Sequence, residues 1–91
     1  MLTTIMMIEC APEHAEDIAE AACHVPGVCE SYVTASATCR VLAVVRVPDD
    51  TMLAGTENHI AAIGGVKKIL PVEVISARAA DELVRIRTDY E

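Results

Sequence analysis

The chain has 91 residues, 53% of them hydrophobic, and a formal net charge of -7 at pH 7. That length holds one domain, and with only Lys67 and Lys68 adjacent among its cations it lacks the basic surface that phosphate neutralisation in nucleic-acid binding requires. No apolar run approaches the roughly 18 residues that span a bilayer, and with no Phe or Trp the core must be aliphatic.

Leu2 to Cys10 reads as a strand. It carries no basic n-region and Glu9 interrupts it, so a signal peptide is not expected and the chain reads as cytoplasmic. Ala11-Pro12-Glu13 opens a helix, with Pro12 near the first turn, where a missing N–H is harmless. Glu13, Glu16 and Asp17 sit where the helix dipole favours acids. Ala15, Ile18, Ala19, Ala22 and Cys23 recur at helical spacing and define its buried face. Val25-Pro26-Gly27 ends it.

Val28 to Ala35 is the second strand, with Val28, Glu30, Tyr32 and Thr34 on one face and Cys29, Ser31, Val33 and Ala35 on the other. Ser36-Ala37-Thr38 is the expected hairpin connection, without the usual Gly. Cys39 to Val47 is the third strand, an apolar run suited to a central position. A second helix starts at Pro48-Asp49-Asp50-Thr51, where any of the last three residues can cap it. Met52, Leu53, Thr56, Ile60 and Ile63 form its apolar stripe, Gly55 weakens it and Gly64-Gly65 ends it. Val66 to Ser76 is a fourth strand, which Pro71 confines to an edge or a bulge. Residues 77 to 91 read as a C-terminal helical extension with Leu83, Ile86 and Tyr90 on one face. It is too short to stand without docking.

The halves repeat. Val25-Pro26-Gly27-Val28 and Ile63-Gly64-Gly65-Val66 each close a helix and start a strand. A doubled β-α-β unit is the split, ferredoxin-like βαββαβ arrangement, an α+β fold with a four-stranded antiparallel sheet. Right-handed crossovers put strands one and three in the centre, and both helices cover one face. Met6, Ile8, Val33, Val41, Ala43 and Val45 are candidates for the uncovered layer. A small domain this rich in aliphatics is expected to bury that layer against a second subunit.

Three stretches, Val25-Pro-Gly-Val-Cys-Glu-Ser-Tyr-Val-Thr34, Val41-Leu-Ala-Val-Val-Arg-Val-Pro-Asp49 and Ile60-Ala-Ala-Ile-Gly-Gly-Val66, resemble the ligand-binding (RAM) domain of the Lrp/AsnC regulators over residues 1 to 76. The resemblance implies dimers paired through their sheets into α/β-barrel-like units, often assembled further, with amino acids or related effectors bound between dimers. Beginning at strand one, the chain resembles the stand-alone members, which lack a helix-turn-helix; a further reading is a structural partner whose sheet pairs with a full-length regulator. On this reading the binding loop comprises Tyr32, Thr34, Ala35, Ser36, Ala37 and Thr38, facing Gly27, Val28 and Gly65 of a neighbouring subunit. The family hairpin usually reads Thr-Gly-x-x-Asp. Here Ala35 stands for the Gly and Thr38 for the Asp, so close backbone approach and an anionic partner for an ammonium group are both missing, leaving the Thr34, Ser36 and Thr38 hydroxyls.

Other constellations are weaker. Cys10 with His14, or Cys23-His24 with Cys29, has suitable donors for zinc, but their places on strand and helix disfavour a shared site. The four Cys lack a C-x-x-C spacing and read as reduced, small apolar residues. No catalytic triad or phosphate loop is present, so neither an enzyme nor a cofactor is expected; Tyr32 and His14 are the candidates to test. Glu13, Glu16, Asp17 and Glu20 form an acidic helix face, and His59 is expected to face solvent. A rival reading is a ferredoxin-like chaperone that holds a twin-arginine signal peptide, with which it shares the element order, the Pro-Gly and a suitable acidity.

Overall fold

The structure, a computed structural model, describes residues 1–76; the expected C-terminal helix lies outside the described residues. Strand β1 spans Leu2–Glu9, α1 Ala15–Cys23, β2 Val28–Val33, β3 Val41–Val47, α2 Asp50–Ala61 and β4 Lys68–Glu73. The four strands form one antiparallel sheet in the order β2-β3-β1-β4, the ferredoxin-like arrangement. Pro71 sits on edge strand β4, where its missing N–H breaks no inner ladder.

Local chemistry sets the element ends. Pro12 opens a 3-10 turn, Pro12–His14, that leads into α1. The Asp49 carboxylate caps α2 by accepting from the Met52 N–H at 2.9 Å. Gly27 and Gly65 take φ of 99° and 97°, so the repeated turns use the same left-handed glycine, as the sequence repeat implies. At Gly27 the turn also packs tightly. A Cβ there would lie 2.8 Å from both Thr56 Oγ1 and Val47 Cγ1. The Thr56 hydroxyl donates to the Pro26 carbonyl at 2.9 Å and ties α2 to this turn.

The core lies between the sheet and the two helices. Met6 and Ile8 of β1 and Val41, Ala43 and Val45 of β3 are fully buried there, with Ile18 and Ile60 from the helices. Ala15, Ala19 and Ala22 give α1 a low-profile face that packs closely on the strands. Cys23, expected on that face, is exposed at the end of α1, where its Sγ lies 2.8 Å from Ser31 Oγ. On α2 only Thr56 and Ile60 are buried; Leu53 is half-buried, as is Ile63 in the turn just past the helix, and Met52 faces outward.

The uncovered face differs from the expected one. Met6, Ile8, Val41, Ala43 and Val45 lie under the helices, and Val33 pairs with Val41 on that same face. The open layer is the opposite parity: Ile5 and Met7 of β1, Leu42 and Val44 of β3, and Leu70 and Val72 of β4. Both parities of β1 and β3 are apolar, so hydropathy alone cannot choose between them. The simple alternation expected for β2 also fails. A bulge between Val28 and Glu30 shifts the register, placing Val28 with Ser31 and Val33 on the helix side and Glu30 with Tyr32 on the open side. Strand β2 ends at Val33 and β3 begins at Val41, so the connection is longer than three residues.

Candidate functional site

The β2–β3 connection closes without glycine. The Thr34 N–H donates to the Arg40 carbonyl at 2.7 Å. Ser36 Oγ accepts from the Thr38 and Cys39 N–H groups at 3.3 and 3.2 Å. Thr34 Oγ1 accepts from the Ser36 N–H at 3.2 Å and donates to the Cys39 carbonyl. Hydroxyls thus do the turning that glycine does elsewhere, and no non-glycine residue among those described has a positive φ. The Thr34, Ser36 and Thr38 hydroxyls are all engaged within the loop, while Ala35, Ser36, Ala37 and Thr38 are exposed.

Tyr32 pairs with Leu42 on the open side and is 50% exposed. Its hydroxyl donates to the Glu30 carboxylate, and that hydrogen bond and negative charge push its pKa above the ordinary tyrosine value. Of the residues expected opposite the loop, Gly65 stands at the hairpin end of the sheet but on the helix side, against His14 and Ile18. Gly27 and Val28 lie at the far end of β2. A single chain therefore does not bring these three to the hairpin.

Two concavities border the hairpin. One, of about 200 Å³, opens at the hairpin end of the uncovered face and is lined by Met7, Glu9, Thr38, Cys39, Lys68 and Leu70. Of the expected site residues only Thr38 reaches it. Glu9 and Lys68 escape sequence reading because they meet only through the β1–β4 register. The other is a groove between α1 and β2, with Glu16 and Glu20 on one wall and Ser31, Tyr32 and Val33 on the other. His14 is absent from the lining of both.

All four cysteines are free, Cys10 and Cys39 buried and Cys23 and Cys29 exposed. Burial pushes the Cys10 thiol pKa up. Among the described residues no group of three or more His, Cys, Asp or Glu is placed to hold a metal ion. No helix among them is long and apolar enough to cross a membrane.

No family model matches the chain, and no curated protein matches its sequence. Solved structures do match its fold. TTHA0845 from Thermus thermophilus superposes with a TM-score of 0.76 at 22% identity, covering 87% of this chain and 99% of that one. Escherichia coli AsnC gives 0.73 at 14% identity over 86% of this chain and 53% of its own. The transcriptional regulator NMB0573 of Neisseria meningitidis, solved as a complex with L-Met, gives 0.69 at 15% identity over 90% and 58%. The chain has an Lrp/AsnC-type domain fold and spans little more than half of the latter two proteins.

Proposed function

We propose that the chain is a cytoplasmic effector-binding domain that pairs with a second copy through its open sheet face and acts by binding rather than catalysis. Its role is in transcriptional or metabolic regulation, and a full-length regulator of the same fold is a further candidate partner. The observation that carries this reading is the open layer itself. Ile5, Met7, Leu42, Val44, Leu70 and Val72 form a contiguous apolar surface, with Leu70 55% and Val72 42% exposed. Apolar surface of that kind on a small acidic domain marks an interaction site. The effector is an amino acid or a related small molecule, taken up beside the hairpin of Tyr32 to Thr38, with Gly27, Val28 and Gly65 supplied by a neighbouring subunit. The L-Met complex of the similar Neisseria regulator supports that ligand class.

A panel of amino acids in a thermal-shift assay tests the reading. A ligand present at a hundred times its Kd adds about 2.7 kcal/mol to the folded state, which a melting curve resolves. Ser36→Trp and Thr38→Arg should abolish that response and leave the assembly intact. An undiminished response in both variants excludes the hairpin.

The groove beside α1 favours a second reading. Glu16 and Glu20 flank edge strand β2 there, where an extended, arginine-bearing peptide would add as a strand. A single-chain mass together with saturable binding of a twin-arginine peptide would move the assignment to that chaperone role.

A further inference from the structure

The cavity at the hairpin end is built mainly from two rungs of the β1–β4 ladder. Met7 faces Leu70, and Glu9 faces Lys68. All four residues line it, together with Thr38 and Cys39 of the hairpin. The rungs are two residues apart on each strand, roughly 7 Å along the sheet. Opposite charges directly across a ladder ordinarily attract and pair, yet among the described residues no ion pair joins Glu9 to Lys68. At about 200 Å³ the cavity is smaller than the roughly 300–1,000 Å³ of sites for drug-sized ligands. Its size suits a small metabolite better than a nucleotide or flavin.

We propose that Glu9 and Lys68 are the two charged poles of this site. Glu9 takes the ammonium group and Lys68 the carboxylate of a small amino acid, while Met7 and Leu70 pack on its aliphatic side chain and the Thr38 hydroxyl meets it from the hairpin. The inference rests on the effector-binding reading and moves charge recognition from the hairpin to the ladder. Thr34 to Thr38 hold no carboxylate, and all three of their hydroxyls already hydrogen-bond within the loop, Thr38 Oγ1 lying 3.3 Å from Ser36 Oγ. The anion missing from the hairpin is supplied by the neighbouring strand. A ligand carrying one charge leaves the opposite pole without its partner, so the site discriminates in favour of the zwitterion.

Calorimetric titration of the full chain with L-leucine and L-methionine, and with isocaproate and isoamylamine, tests this. The last two are leucine without its ammonium and without its carboxylate. The wild type should bind at least one of the amino acids and bind each mono-charged analogue at least about tenfold more weakly, the order expected for one lost charge-assisted contact. Glu9→Gln should weaken amino-acid binding by a similar factor and no longer distinguish leucine from isocaproate. Lys68→Gln should do the same with isoamylamine. Such a cycle isolates the pairwise contact from any general effect of the substitution. Wild-type affinity in both variants overturns the assignment and leaves the effector-binding reading standing with its site elsewhere. If neither amino acid binds the wild type, the zwitterion site is overturned, and the broader reading then rests on the thermal-shift panel.

Discussion

Three residues show how local conformation sets what each position tolerates. Gly27 holds a φ of 99° against Thr56 and Val47, so Gly27→Ala combines backbone strain with a clash and should cost at least about 2 kcal/mol. Gly55 lies within α2 with nothing close to an added Cβ, so Gly55→Ala should stabilise by about 0.5–1 kcal/mol. Urea midpoints of the two variants should therefore move in opposite directions. Tyr32 offers a pH test. Its hydrogen bond to Glu30 and the adjacent negative charge raise its pKa, so the folded state holds the phenolic proton more tightly than the unfolded chain. The contact contributes below the ordinary tyrosine pKa and is lost as pH rises through the raised one. Glu30→Gln should bring the phenolate absorbance transition of Tyr32 back toward the ordinary value.

The elements divide into those that announce themselves in sequence and those that tertiary context decides. The strand order, both helices and the edge position of β4 follow from Pro12, Pro71, the paired glycine turns and the apolar runs. The face of the sheet does not, because Ile5 and Met7 are as apolar as Met6 and Ile8. A signal was present nonetheless. Glu9 and Arg46 fall on the Ile5–Met7 and Leu42–Val44 parity, and charged side chains are rarely buried beneath helices. The bulge at Cys29 carries no local mark, so the facing of β2 was illegible. The hairpin was obscure because Ser36 and Thr34, not glycine, close it. Ser36→Ala removes the acceptor for two backbone N–H groups. It should loosen the loop and speed amide exchange at Thr38 and Cys39 while the central strands stay protected. At the other pole of the fold, Asp49→Ala should cost about 1 kcal/mol through the lost α2 cap, readable in the same urea series.

For the whole molecule, the decisive feature is a sheet with one face buried under two helices and the other apolar and open. The candidate site was only partly legible for the same reason. Thr38 can be read from the hairpin, whereas Glu9 and Lys68 become neighbours only once β1 and β4 are in register. A second copy on the open face would bury the layer that a single described domain leaves to solvent. Such a copy would also stand beside the cavity at the hairpin end. Leu70→Glu places a charge on that layer, on edge strand β4, without touching the helix-side core. Light scattering on the wild type and on this variant is the most direct measurement. Pairing through the open face predicts a mass of at least two chains for the wild type, falling toward one chain in Leu70→Glu with unchanged secondary structure. A wild type with the mass of one chain, or an assembly indifferent to Leu70→Glu, would contradict it.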